Sequence, residues 1–253
     1  MTATAMILAA GLGTRLRPLT DSMPKALVPY RGVPMIESLI LRLKTEGFSR
    51  IVINVHHFAD MIEDYIRSKD CYGADIVFSD ERDILRDTGG GIRHAWCSGL
   101  LGDSPVLVHN VDIITSGIGL RNFYDSAVSS GAAASLLVSG RMSSRYLLAG
   151  GDGLLRGWTY PAKGLVKGIG HAADVPVECP SAVDPHSMPA SVPCAFSGIH
   201  VIAPEALNIM KDWPDRFSVI DFYLGIAAAH TVRCVSAPDG AVITDIGRLS
   251  RLS

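Results

Sequence analysis

Over the first two thirds of the chain, short apolar runs alternate with segments whose apolar residues recur at helical spacing. The runs Met6 to Ala9, Ile51 to Val55, Asp75 to Phe78, Val106 to His109 and Ala133 to Val138 have the length and composition of strands covered on both faces. Between them, Met35 to Lys44 carries Ile36, Leu39, Ile40 and Leu43 on one face and stops near Gly47. Asp60 to Ser68 repeats the pattern around Ile62, Tyr65 and Ile66, and Thr88 to Trp96 and Gly117 to Ser130 supply two more helical segments. The order βαβαβαβαβ predicts an α/β fold with an open, doubly wound sheet. After Gly150 the rhythm changes to strand-like pieces at Tyr146 to Ala149, Leu154 to Tyr160 and Phe196 to Ile202. A helix near Asp221 to Ala229 and a last strand at Val242 to Asp245 complete the expectation. The stretch from Ala172 to Pro193 has no period and reads as an irregular surface excursion.

Composition narrows the function classes. The 253 residues are 48% apolar, enough for a substantial core, and the formal net charge is −2. Acids and bases are interspersed, which argues against a nucleic-acid partner. Five cysteines (Cys71, Cys97, Cys179, Cys194, Cys234) lie far apart without zinc spacing and read as reduced thiols. The apolar run near the N-terminus is too short for a secretory leader, and no stretch approaches a membrane span, so a soluble cytoplasmic protein without membrane contact is expected.

Candidate chemistry begins where the first strand ends. Leu8-Ala-Ala-Gly-Leu-Gly-Thr-Arg-Leu-Arg-Pro-Leu-Thr-Asp-Ser-Met-Pro-Lys-Ala-Leu-Val-Pro29 enters a loop of small residues, where α/β sheets bind ligands. Gly11 and Gly13 let backbone amides approach a phosphate, Arg15 offers a multi-donor fork, and Lys25 adds a point charge held by Pro24. A Walker A loop is excluded because Gly13 is followed by Thr14 and Arg15 rather than Lys-Ser/Thr. A dinucleotide fingerprint is disfavoured because Leu16 replaces its third glycine and the second strand ends in His56 and His57 without an acid. Those histidines read as a polar strand terminus, and Trp96, Trp158 and Trp213 as core or rim aromatics.

The run from Leu8 to Pro29 resembles the signature of the sugar-1-phosphate nucleotidyltransferases at nearly every position. The chain looks most like the short bacterial N-acetylmuramate-1-phosphate uridylyltransferases and the mannose- and heptose-1-phosphate guanylyltransferases. The resemblance implies a GT-A-like, mixed and mostly parallel sheet flanked by helices, in a single domain with a β-rich acceptor-side subregion. Residues 1–140 would form the nucleotide half and 141–253 the sugar-phosphate half. It places Leu8, Ala10, Gly11, Gly13, Thr14 and Arg15 along the nucleotide and makes Lys25 a bridge between nucleotide and sugar phosphate.

Further segments extend the likeness. Asp87-Thr-Gly-Gly-Gly91 resembles a Glu-Thr-Gly-Gly-Gly segment in which Asp87, Thr88, Gly89 and Gly90 would approach the nucleobase; close helix packing is the other reading of the glycines. Asn110-Val-Asp112 resembles Asn-Gly-Asp, implying Asp112 as a metal ligand and Asn110 beside the nucleotide sugar. Asp245, in Thr244-Asp-Ile-Gly247, would be the second ligand for Mg²⁺, which accepts one or two carboxylates. On the acceptor side Arg145, Tyr146, Ser197 and Gly198 are the expected contacts. A Glu-Lys-Pro lysine is replaced by Tyr160 before Pro161, leaving Lys163, Lys167, Arg141 or Arg145 as substitutes.

Arg15, Lys25 and Asp112 are then the catalytic set, acting on an NTP and a sugar 1-phosphate by in-line attack without a covalent intermediate or a histidine base, in a monomer or homodimer. Cytidylyl transfer to phosphocholine and a non-catalytic regulatory homologue are the competing readings.

Overall fold

A computed structural model describes residues 3–170 and 191–247, so the Ala172 to Pro193 excursion lies outside it up to residue 190, as does Cys179. The centre is the apolar strand β1 (Ala3–Leu8), flanked in parallel by β4 (Phe48–Val55) and β6 (Val106–Asn110), with β5 (Asp75–Asp80) outside β4. Successive β1 side chains enter opposite cores. Ala3, Ala5 and Ile7 pack with α1 (Met35–Thr45), α2 (Ala59–Ser68) and α4 (Leu120–Ser129). Met6 packs with α3 (Asp87–Cys97), α5 (Pro204–Met210) and α6 (Val219–Ile226) on the other face. This two-sided burial is why the run shows no alternation of polar residues.

Beyond β6 the sheet departs from a purely parallel winding. The run at 133–138 forms β8 (Ala134–Ser139), but it reaches β6 only through β12 (Val192–Ile202), which is antiparallel to both. The other end of β12 pairs with β9 (Tyr146–Ala149), which continues through β10 (Leu155–Tyr160) to β11 (Leu165–Gly168), all antiparallel. With β13 (Val232–Ser236) parallel to β8, the described residues make one ten-stranded mixed sheet. Two small pairs complete the fold: β2 (Pro29–Tyr30) with β3 (Val33–Pro34), and β7 (Ile113–Ser116) with β14 (Val242–Asp245). Among the described residues no helix is long and apolar enough to cross a membrane.

Candidate active site

The carboxyl ends of three parallel strands form the floor. Leu8 is in register with Asn54 on one side and Asn110 on the other, so two amide side chains flank the start of the Gly11 loop. Asn54 Oδ1 accepts hydrogen bonds from the Ala9 and Ala10 N–H groups at 2.7 and 3.3 Å, and its amide donates to Glu81 Oε1 at 2.8 Å. Glu81 is fully buried, and desolvation raises its pKa against the opposing Asn54 bond. The first two loop amides are therefore committed to protein, and the part of the loop open to a ligand begins at Gly11. The position of a Cβ on Gly11 would meet no atom within 4 Å.

Gly13 turns the chain with φ of +65°, and its carbonyl accepts bonds from the Leu16 N–H and the Thr20 hydroxyl, both at 2.8 Å. Buried Leu16 anchors the turn and leaves Thr14 and Arg15 exposed. The Arg15 guanidinium lies against Gly247, where an added Cβ would come within 2.8 Å of Nη2 and 2.7 Å of Asp245 Oδ1. Farther along, buried Pro24 sets the backbone and the Lys25 ammonium forms an ion pair with Asp112, both side chains nearly buried.

Asp112 and Asp245 are far apart in sequence and are brought alongside by β7 and β14. Asp245 is opposite Ile113, and the Ile246 N–H donates to the Asp112 carbonyl at 2.8 Å. Among the described residues no group of three or more His, Cys, Asp or Glu forms a metal cage. Two carboxylates are nevertheless the number Mg²⁺ accepts from protein, leaving positions for phosphate oxygens and water, while buried Asp112 already has its compensating charge in Lys25.

A cleft of about 320 Å³ collects Leu8, Ala10, Gly11, Lys25, Asn110 and Asp112 along one side and Asp87 and Thr88 on another. Asn54, Leu85 and Arg216 also line it and were not singled out from sequence. Asn54 carried a signal, a polar residue inside an apolar strand; Arg216, on an exposed loop, carried none.

The triple glycine resolves toward packing. A Cβ on Gly89 would enter the Phe217 ring, one on Gly90 would strike the Asp215 carbonyl, and one on Gly91 would lie 2.7 Å from Glu81 and 2.8 Å from Asn54. Gly89 and Gly90 are buried and do not line the cleft, so the expected approach of their backbone to a base gives way to close helix packing. Thr88 and Asp87 remain at the cleft, although the Thr88 hydroxyl accepts the Val219 N–H at 3.0 Å. Asp87 has φ of +61°, a conformation that short Asp tolerates by accepting the Thr88 N–H at 2.6 Å.

On the acceptor side the expected residues separate. Ser197 is fully buried, donating to the Leu137 carbonyl at 2.7 Å, and a Cβ on Gly198 would meet the Asn110 amide at 2.7 Å. Gly198 leaves room for Asn110, and neither residue lines the cleft or the neighbouring pocket. Arg145 and Tyr146 do line that pocket, of about 480 Å³, with Lys163, Lys167, Trp158 and Tyr160. Trp158 is thus a pocket wall as well as a rim aromatic. Arg141 donates to the Phe196 carbonyl at 2.9 Å and borders a separate cavity of about 460 Å³.

Two histidines are held uncharged at neutral pH by burial. His109 and His200 are fully buried, and burial lowers their pKa values to about 4 and about 3. His56 Nδ1 donates to the Glu81 carbonyl at 2.6 Å, and the His57 ring is tilted against Phe58 with centroids 4.0 Å apart, in keeping with a polar strand terminus. The cysteines among the described residues are free thiols.

Residues 4–146, the span that contains this floor and loop, match the family model described as Nucleotidyl transferase. The chain belongs to the nucleotidyl transferase family. The enzyme is 35% identical to the N-acetylmuramate alpha-1-phosphate uridylyltransferase of Caulobacter vibrioides over 239 residues, covering 93% of this chain and 88% of the relative. A choline-phosphate cytidylyltransferase of Streptococcus pneumoniae is 48% identical over 77 residues, but these cover 30% of this chain and 32% of that one. The fold is that of a UDP-glucose pyrophosphorylase from Acinetobacter baumanii, with a TM-score of 0.75 at 16% identity, covering 100% of this chain and 91% of that one.

Proposed function

We propose that the enzyme transfers the uridylyl group of UTP to a sugar 1-phosphate, N-acetylmuramate 1-phosphate, in the cytoplasm and releases pyrophosphate. The observation that carries this reading is the reach of the Caulobacter vibrioides relative, whose 35% identity extends over 93% of the chain and so includes the acceptor half. A sugar-phosphate oxygen attacks the α-phosphorus, and the bond from that phosphorus to the bridging oxygen of the pyrophosphate breaks in line. The chain contributes position and charge.

Lys25, held at Asp112, stands where the two phosphate-bearing substrates would meet. At about 4 Å and an effective dielectric near 20, each pair of unit charges repels by about 4 kcal/mol, so a cation between the phosphates offsets much of that cost. Arg15, on the exposed turn beside Asp245, suits the charge that gathers on departing pyrophosphate. Mg²⁺ held by Asp112 and Asp245 would supply Lewis-acid polarisation of the α-phosphate when bound. Asp87 and Thr88 are the groups offered to the base edge, and Asn110, propped by Gly198, faces the ribose side.

The likeness to choline-phosphate cytidylyltransferase favours a second reading, cytidylyl transfer to phosphocholine, but it is confined to 30% of the chain. Measuring pyrophosphate release with UTP, GTP and CTP, each against a panel of sugar 1-phosphates and phosphocholine, separates the two. Turnover only with CTP and phosphocholine would replace the uridylyl reading, and turnover only with GTP and mannose 1-phosphate would revise both base and acceptor.

A further inference from the structure

The pocket beside the cleft holds more positive charge than a phosphate bound in the cleft can use. On the reading above, the acceptor's phosphate must meet the α-phosphate at Lys25 and Asp112, which line the cleft and not the pocket. The pocket's cations, Arg145, Lys163 and Lys167, line no part of the cleft. The two spaces adjoin: Arg216 borders the cleft, Ser218 and Asp221 border the pocket, and the Val219 N–H between them is held by the cleft residue Thr88. An acceptor with its phosphate in the cleft has the pocket next to it to receive the rest of its sugar.

The three cations are not equivalent. Lys167 is neutralised by Asp221 at 2.6 Å and rests over Trp158. Arg145 and Lys163 have no acidic partner among the described residues, and both lie over the Tyr160 ring, at 5.2 and 5.3 Å from its centroid. One aromatic ring thus gathers two positive charges at the edge of a pocket whose other walls include Leu147, Phe196 and Ile220. Such a site is stabilised by an anion, and a fixed fork beside a flexible ammonium suits a carboxylate.

We propose that Arg145 and Lys163 on Tyr160 form an anion-reading subsite that selects a sugar 1-phosphate bearing a second negative group, a carboxylate, on its ring. The inference rests on the proposed sugar-phosphate acceptor. It makes Tyr160 the platform for two cations.

The test compares N-acetylmuramate 1-phosphate with N-acetylglucosamine 1-phosphate, which keeps the ring, acetamide and phosphate but lacks the lactyl carboxylate. With saturating UTP and Mg²⁺, the double variant Arg145→Gln, Lys163→Gln is expected to lose about 30-fold or more in kcat/KM for the acidic sugar, mainly through KM, and to change less than about twofold for the neutral one. Restoring a charge with Lys163→Arg alone should leave the discrimination near wild type. An equal loss on both substrates would assign the pair to the shared phosphate or ring, and no loss on either would remove it from recognition; both overturn the proposal. If the wild-type protein turns over no sugar 1-phosphate, the acceptor reading fails by itself, and calorimetry with unphosphorylated N-acetylmuramic acid decides the subsite: binding lost in the double variant upholds it, and no binding to the wild type overturns it.

Discussion

The cleft and the pocket beside it are built on opposite plans. The cleft sits on three parallel strands and is fixed by buried groups: Asn54 on the loop amides, Glu81 behind it, Gly91 leaving room for both, and the Lys25–Asp112 pair. The pocket stands on the short antiparallel strands β9 to β11, and its charged side chains are exposed and rest on aromatic faces. Buried, mutually bonded groups have few alternatives, whereas exposed cations can be exchanged at little cost to the fold. The difference separates a region specialised for phosphoryl chemistry from one free to vary with the acceptor.

Four measurements would break or sharpen that contrast. The largest effect belongs to Asp112→Asn, which keeps side-chain size while removing the charge proposed to hold Mg²⁺: turnover should fall by about a thousandfold or more with the circular dichroism spectrum retained. Full activity in EDTA would sink the metal-dependent half of the scheme. Next is Lys25→Ala, expected to keep NTP binding by calorimetry while losing about a hundredfold in kcat/KM for the sugar phosphate, roughly 2.7 kcal/mol. If NTP binding collapses and residual turnover keeps a normal sugar-phosphate KM, Lys25 serves the nucleotide alone.

Asn54→Ala should act on loop geometry and stability together. It frees the Ala9 and Ala10 amides and leaves buried Glu81 without its partner, at a cost of about 1–3 kcal/mol in urea unfolding. We expect about tenfold lower kcat/KM as the loop loosens. Unchanged kinetics with lowered stability would make Asn54 purely structural and weaken the picture of a rigid cleft.

The smallest effect is a pH dependence of stability. His109 and His200 have folded pKa values of about 4 and about 3 against an ordinary value near 6.5, so the unfolded chain binds more protons as pH falls below 6.5. Stability should therefore be intact above that pH and decline toward pH 4, by at most about 1.4 kcal/mol per pH unit per histidine. Buried Glu81, with its pKa raised, contributes the opposite slope and softens the decline. His200→Phe should flatten the melting-temperature profile; an unaltered slope would show that His200 is not one of the groups responsible.

Much of the cleft was legible along the chain because it is built from local signals. The strand ending at Leu8, the glycine turn and the Pro24–Lys25 pair lie in one continuous segment, and loops of this kind bind ligands at carboxyl strand ends. Asn110 and Asp112 close an apolar strand in the same way. The helices α1 to α4 and the strands of the parallel block follow from periodicity, since each buries a face or both faces within its own length. Among the elements that escaped, β2 and β3 have two residues each, α5 has seven beginning at a proline, and β7, β11 and β13 are short strands whose mixed residues show no clear alternation.

What the tertiary structure alone decided depends on partners distant in sequence. Antiparallel β12 separates β8 from β6, because hydrogen-bond pairing across about sixty residues to β8 and about ninety to β6 leaves no local trace. The glycines at 89 and 90 read equally as base-approaching or as packing until Phe217 and Asp215 closed over them. Only the fold places Asn54 and Glu81 under the loop, buries Ser197 against the Leu137 carbonyl and sets Gly198 against Asn110. By itself the sequence determined the strand–loop chemistry and the class of reaction, because both are encoded in contiguous residues. Only the tertiary structure determined which side chains face a ligand and which support those that do, because burial and close approach are properties of neighbours, not of spacing.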